Sequence, residues 1–571
     1  MKSTRRDLFL FAGGSAAGAL LTPAPWRLIT DTALWSENWP GVPAPPRGEI
    51  RTRFTNCSLC RAGCGVRARC VGDQPVQLTG VASHPLSRGV LCPFGLTAHH
   101  LPYHPARLKQ GPHERALAAV SAAIGSGDRV AVLDLQPGRT ASWTYRRAMA
   151  ALKNGVYLTN GPSVAYDLHQ AKTVLSFGVP VLDGWGTPGN VIAARENFRL
   201  IQAEPVESRT ATLADVWLPV QPGDEDATAL AMAGELGADG SALVLDHRGP
   251  AAAMALNQRL GALGRTVVAR PEAPVPVEWR SAAPATALAQ VEDRSIRVLL
   301  IDESAVDGYV PWYQIERKLV LDNPVVVTFT ASHGGYARHA QYALPTAVYP
   351  EISEDIPTAI DSVAATFRLS TALIAPPAGI VNPAEWIATL AGLAEGDTIR
   401  ERADGIHDSG RGAIYTPADG KTVAVKDLTA EAFWKSLGEA GCWIDEPRHA
   451  RAPETTTAVS EPHAHDSDVD LPLVAWLAGP SSPPLLSPLM TKLYQESNLR
   501  LAPNRVALHP SDARAARLAD GVHAFFQTRL GRCGVDVTID PGLPAGVVQL
   551  GTAPGILDVY RPGIRAKVVP A

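Results

Sequence analysis

Four cysteines near the start of the chain, Cys57, Cys60, Cys64 and Cys92, constrain its fold more than any other feature. They stand in TNCSLCRAGCGVRARC and GVLCPFG, spaced C-x2-C-x3-C-x27-C. Three thiols in one tight loop and a fourth further along suit a chain wrapped around a compact cubane. Thiolates are soft donors, matched to soft metals and iron–sulfur clusters. Zinc is the nearest rival, but its sites more often use two short-spaced pairs. Disulfides are the other rival, and Cys57 and Cys60 are too close for two long structural bridges. Arg61, not His, follows the C-x-x-C step, which excludes c-type haem. The reading is a [4Fe–4S] cluster on these four residues. Cys70 reads as a small buried residue, and the isolated Cys442 and Cys533 as structural.

The residues before this loop point to export. Arg5-Arg6 precede an apolar, glycine-softened run from Leu8 to Leu21, so residues 1–30 read as a twin-arginine signal segment. The run is short for a bilayer span, no clean small-x-small cleavage site follows, and an uncleaved anchor stays open. Twin-arginine export carries folded proteins, which suits a chain whose cofactor is inserted first. The expected location is periplasmic or otherwise extracytoplasmic. The net charge of −4 gives no electrostatic footprint for nucleic acid.

At 571 residues the chain is long enough for several domains. Short apolar runs alternate with helical patterns: RVAVLDL, TVLSFGV, FRLIQAE, DVWLPV, SALVLDH, TVVAR, RVLLID and VVVTFTA are strand candidates. TASWTYRRAMAAL, Glu225 to Leu236 and AAAMALNQRLGAL read as helices between them. Such alternation argues for parallel, doubly wound sheets. Residues 454–470, polar and turn-rich, read as linker, with His463 and His465 in a solvated loop. Beyond Leu471, VHAFFQTRLGRCGVDVTI alternates apolar and polar residues as antiparallel strands do. The fold class is therefore α/β and multi-domain: an N-terminal iron–sulfur loop domain, two doubly wound α/β units and a C-terminal β-barrel-like domain. The divisions are 48–112 for the cluster domain, 113–235 for the first α/β unit, 236–450 for the second with return segments to the first, 451–470 for the linker and 471–571 for the terminal domain.

Taken in order, these segments resemble the molybdopterin oxidoreductase family, the superfamily of dimethyl-sulfoxide reductase. LPYHPARLKQGP is similar to the family's stretch after the cluster, and DLHQAKTVLSFGVPVLDGWGTP with LIQAEPVESRTATLADVWLPVQPGDEDA to its first nucleotide-binding stretch. YALPTAVYPEISED resembles its "LP…E" segment, and NRVALHPSDARAARLADGVHAFF with PGLPAGVVQL its terminal, molybdopterin-dinucleotide-binding-like domain. The resemblance places Glu204 and Glu225 where family carboxylates contact the guanosine ends of molybdopterin guanine dinucleotide. Each also reads as a helix cap.

The departures carry equal weight. The family usually has Lys or Arg two residues after the last cluster Cys, and this chain has Phe94. No Cys lies between Gln136 and Ala171 to reach a metal; Ser142, Ser163 and Asp167 are the remaining donors of the right type. The family's Gly-x-Asn-Pro is replaced by Gly178-Val179-Pro180 and by Ile301-Asp302-Glu303-Ser304. Two functional readings follow from the resemblance. One is an electron-transfer or scaffold subunit that keeps the fold without a working molybdenum site, resembling the molybdopterin-like chain of menaquinone reductase complexes and alternative complex III. The other is an active molybdenum or tungsten bis-molybdopterin guanine dinucleotide oxidoreductase. Beside these two stands a structural or assembly protein with zinc or an empty cysteine loop. Either of the first two implies the same partners: a multi-cluster ferredoxin-like subunit, an integral membrane quinone-binding subunit, and cytochrome c as a further one. Association with the membrane would then come through those partners.

Overall fold

A computed structural model describes residues 4–21, 48–159, 164–248, 250–305, 310–393, 396–446, 451–453, 470–477, 486–489, 491, 504–551 and 554–571. Ser163, His463 and His465 lie outside the described residues, as does nearly all of the expected linker.

The leader residues form one helix, α1 (Arg5–Leu21), on which Leu8, Phe9, Leu10 and Phe11 are all exposed. Among the described residues no helix is long and apolar enough to cross a membrane. The cysteine region is a three-stranded antiparallel sheet of β1 (Ile50–Asn56), β2 (Gly65–Val71) and β3 (Gln74–Gly80). Asn56 pairs with Gly65, so the β1–β2 connection carries three of the four cysteines at one end of a hairpin.

Behind it stand two parallel sheets. The larger has the order β12 (Ala285–Ala287), β5 (Gly155–Thr159), β4 (Val130–Asp134), β13 (Val298–Asp302), β14 (Val325–Thr330), β15 (Tyr342–Pro345). The smaller runs β10 (Ala242–Asp246), β7 (Thr173–Phe177), β8 (Arg199–Ala203), β9 (Val216–Leu218). Alternate residues of each strand enter opposite cores. Val130, Val132, Val298, Leu300 and Phe329 pack on one face of the larger sheet, and Ala131, Leu133, Leu299, Ile301 and Val326 on the other. The smaller sheet divides likewise, with Val174, Leu200 and Leu243 against Leu175, Ile201 and Val244. Burial on both faces is why these strands read as unbroken apolar runs.

The sheets do not follow the expected boundary at residue 235. β4 and β5 pair within the same sheet as β12 and β13, whereas β10 joins β7. The smaller sheet is thus an excursion between strands of the larger one. Parallel neighbours are joined by long crossovers, so strand order is not written in local periodicity. A short antiparallel ribbon, β6 (Val164–Tyr166) with β11 (Val267–Ala269), flanks that excursion in sequence.

A further antiparallel sheet was not visible in the sequence: β16 (Glu354–Ile356), β17 (Ala365–Ser370), β20 (Cys442–Asp445), β18 (Ala413–Thr416) and β19 (Lys421–Ala424), in that order. β17 is buried along its whole length and lies beside the cysteine sheet, where the side-chain amide of Asn56 donates to Leu369 O at 3.0 Å.

The chain closes as a six-stranded barrel of β21 (Leu473–Leu477), β25 (Val547–Leu550), β22 (Arg505–Leu508), β24 (Gly531–Ile539), β23 (His523–Thr528) and β26 (Arg565–Pro570). The expected antiparallel hairpin is β23–β24. The barrel is mixed, however, because β21–β25 and β22–β24 pair in parallel.

Candidate iron–sulfur site

The cysteine loop is held by its own backbone. Cys57 N–H donates to Cys64 O at 2.9 Å, and Gly63 N–H to Cys60 O at 3.3 Å. Gly63 has φ +53°, a turn that favours glycine. The fourth cysteine arrives from beyond β3. Cys92 caps the short helix Pro93–Thr97, and its Sγ accepts from Gly95 N–H at 3.4 Å.

The four thiols converge. Burial first, then the neighbouring thiols, Cys60 and Cys64 ahead of Cys92, hold the Cys57 thiol well above its ordinary range. Cys64 is raised by burial and then by Cys60 and Cys92. Cys60 is pushed up to about 11 by burial and Cys92. Cys60 is exposed as a residue, yet burial is the largest cause of its thiol's shift. Among the described residues no three His, Cys, Asp or Glu side chains are grouped to hold a single metal ion. A cubane spreads its thiolates over separate irons, and four thiols that act on one another are the donor set it needs. Cys70 lies fully buried on β2, and its thiol is raised by burial, then modulated by Arg53 and Asp73 rather than by the four thiols. Cys442 is buried on β20, and Cys533 sits half-buried in the barrel hairpin.

Next to the loop lies a buried polar hub that the sequence did not disclose. Asp134 and Asp302 face each other at the C-terminal ends of β4 and β13. Arg139 bridges them, at 3.4 Å from Asp134 and 2.6 Å from Asp302, and reaches Glu354 at 3.3 Å. Tyr145 and Tyr157 donate to Asp302 and Asp134, each at 2.8 Å. Arg402 pairs with Asp355 at 3.0 Å, and Asp355 also accepts from Thr140 N–H at 2.8 Å. The loop meets this hub directly: Arg61 feels Asp134 and Arg139, and Ser58 hydrogen-bonds Glu354. Burial raises the Glu354 carboxyl to about 7 despite the adjacent Arg139. A cavity of about 10 Å³ lies between Gly138, Arg270, Asp355 and Arg402, room for about one water.

The other described polar candidates have local partners. Ser142 Oγ accepts from Gly138 N–H at 3.1 Å. Asp167 Oδ1 accepts from His169 N–H at 3.0 Å, closing a turn. Glu204 receives Gln202 Nε2 at 3.0 Å and Ser208 N–H at 3.2 Å. Glu225 receives Gly223 N–H at 2.7 Å and lies 3.5 Å from His247 Nε2. Burial opposes ionisation of Glu225, but the His247 contact and charge and Arg248 outweigh it and bring the carboxyl down to about 2. Asp302, one of the residues in place of Gly-x-Asn-Pro, belongs to the hub. Phe94 is half-buried on the helix that Cys92 caps. Among the described donors, Ser142, Asp167, Glu204 and Glu225 each accept a hydrogen bond from a neighbouring group.

Residues 50–104 match the model of the molybdopterin oxidoreductase Fe4S4 domain. The chain is 30% identical over 275 residues to the menaquinone reductase molybdopterin-binding-like subunit of Nitratidesulfovibrio vulgaris, covering 41% of this chain and 40% of that protein. It is 25% identical over 232 residues to a sulfite dehydrogenase subunit of Allochromatium vinosum, covering 33% and 24%. The chain thus spans less than half the length of these curated relatives. Acetylene hydratase from Pelobacter acetylenicus superposes with a TM-score of 0.63 at 13% identity, over 91% of this chain and 100% of that one. The last likeness is one of fold. The resemblance to molybdopterin oxidoreductases therefore holds in the cysteine domain, in sequence and in architecture.

Proposed function

We propose that this chain is the iron–sulfur electron-transfer or scaffold subunit of an extracytoplasmic, membrane-associated quinone oxidoreductase complex, without a working molybdenum site. Cys57, Cys60, Cys64 and Cys92 hold a [4Fe–4S] cluster in this reading. The observation that carries it is an asymmetry: the four thiols lie within electrostatic reach of one another, while every described donor offered for a pterin or its metal is engaged in a local hydrogen bond. When bound, the cluster supplies one-electron transfer. The protein's part is to fix the loop through Gly63, to bond Cys92 Sγ through Gly95 N–H and to surround the site with neutralised charge.

The relative named as a menaquinone reductase subunit supports a quinone-linked complex. Its neighbours there would be a multi-cluster ferredoxin-like subunit, an integral membrane quinone-binding subunit, and cytochrome c. The Arg5-Arg6 leader supports twin-arginine export. The second reading, an active molybdenum or tungsten enzyme binding molybdopterin guanine dinucleotide through Glu204 and Glu225, draws on the closed terminal barrel and the near full-length likeness of fold.

Low-temperature electron paramagnetic resonance on the exported complex separates the two. The first reading expects one reduced-cluster signal from this chain and none from molybdenum(V) or tungsten(V). A molybdenum(V) or tungsten(V) signal assigned to this chain would establish the second.

A further inference from the structure

Arg368 lies in the middle of β17, 305 residues in sequence from the cysteine turn, and is fully buried. Its guanidinium donates to three successive carbonyls of that turn: Arg61 O at 3.1 Å, Ala62 O at 2.6 Å and Gly63 O at 3.0 Å. A fourth bond goes to Pro357 O at 2.9 Å. All four acceptors are neutral. Gly63 makes the approach possible, since a Cβ there would stand 2.2 Å from the guanidinium. A buried cation needs a counter-charge as well as hydrogen bonds. Burial is the largest influence on Arg368 and works against its charge, while Cys442, Cys64, Asp361 and Cys60 act in its favour, so two of the four cluster cysteines are among its neighbours. Burial first and then the Arg368 charge hold His84 down to about 3, neutral beside the loop.

We propose that Arg368 is a positioning residue of the cluster site, clamping the Arg61–Gly63 turn between Cys60 and Cys64 and raising the cluster's reduction potential with its buried charge. A fixed positive charge favours the more negative, reduced state, and the potential of such a cluster is set by local charge, hydrogen bonding and burial. Asp361 acts in opposition, because it bears on Arg368, Cys60 and Cys64 and is itself fixed by Thr187 at 3.0 Å and Asn190 at 2.9 Å.

The inference rests on the cluster reading, and the test tells the two apart. Iron is counted in the exported complex, and the cluster is titrated potentiometrically under dithionite and mediators by electron paramagnetic resonance. Arg368→Gln should shift the reduction equilibrium at least tenfold towards the oxidised state, about 59 mV lower for one electron. Arg368→Lys keeps the charge but cannot hold three carbonyls as a planar fork does, and should stay within about threefold of wild type. Asp361→Asn should shift the equilibrium about tenfold the other way, and it carries the test if Arg368→Gln does not fold. An iron-loaded Arg368→Gln protein with the wild-type potential overturns the proposal, as does an unmoved potential in Asp361→Asn. Wild-type protein without iron overturns the cluster reading and this inference together.

Discussion

The cysteine site turns on a few side chains whose neighbours decide what each can do. Cys60 couples to Cys92, and Cys64 to both, so removing one thiolate strips a cluster of a ligand that metal binding and folding share. Cys60→Ser is expected to lose the iron and its spectroscopic signal and to lower the stability of the cysteine domain. Cys70→Ser, fully buried on β2 and apart from that coupling, is expected to retain full iron content. Glu225 gives the contrasting case of a carboxylate with local partners in Gly223 and His247. Its folded value of about 2 lies below the ordinary 4.5, so its stabilisation is complete above about pH 4.5 and lost as the pH falls towards 2. Glu225→Gln should cost about 2–3 kcal/mol at pH 7. The gap in thermal midpoint between wild type and variant should close between pH 4.5 and 2, with iron content unchanged. A cofactor-holding Glu225 would instead lose a bound nucleotide.

At the scale of elements, one buried pair ties the cysteine segment to the sheets. Arg107, in the stretch after the cluster, forms a bidentate pair with Glu351, which follows β15, and both side chains are at most 2% exposed. Truncating one partner leaves a buried charge uncompensated. Glu351→Ala is therefore expected to destabilise the chain by about 3–5 kcal/mol in urea unfolding, more than a surface pair would. The legibility of the elements divides along the same physical line. β4, β7, β8, β10, β13 and β14 were readable because each is a short apolar run buried on both faces, and the helix Glu225–Leu236 was readable to its ends. The cysteine spacing was readable because it is local. The hub was not, since Asp134, Arg139, Asp302 and Glu354 meet only after non-adjacent strands pair. Arg368 was hidden for a second reason: β17 carries a charged residue inside a strand buried at every position, which periodicity alone reads as a solvated face.

At the scale of the whole molecule, cluster domain, parallel sheets and barrel are joined by specific contacts. The barrel's Asp558 lies 3.0 Å from both Arg338 and His339, which follow β14 in the larger sheet, and His339 stacks on Trp312 at 4.2 Å. The barrel thus rests on the segment that follows β14 in the larger sheet. The proposed twin-arginine export belongs to the whole chain. Replacing Arg5 and Arg6 together by Lys is expected to leave the protein in the cytoplasm, checked by fractionation against the wild type. The central claim is that this fold carries a cluster without a working molybdenum site. It is tested most directly by counting iron, molybdenum, tungsten and zinc, resolved per chain, in the natively exported complex purified without oxygen. The expected result is about four irons per chain with neither molybdenum nor tungsten. About four irons accompanied by one molybdenum or tungsten would contradict it and make the chain a working pterin enzyme.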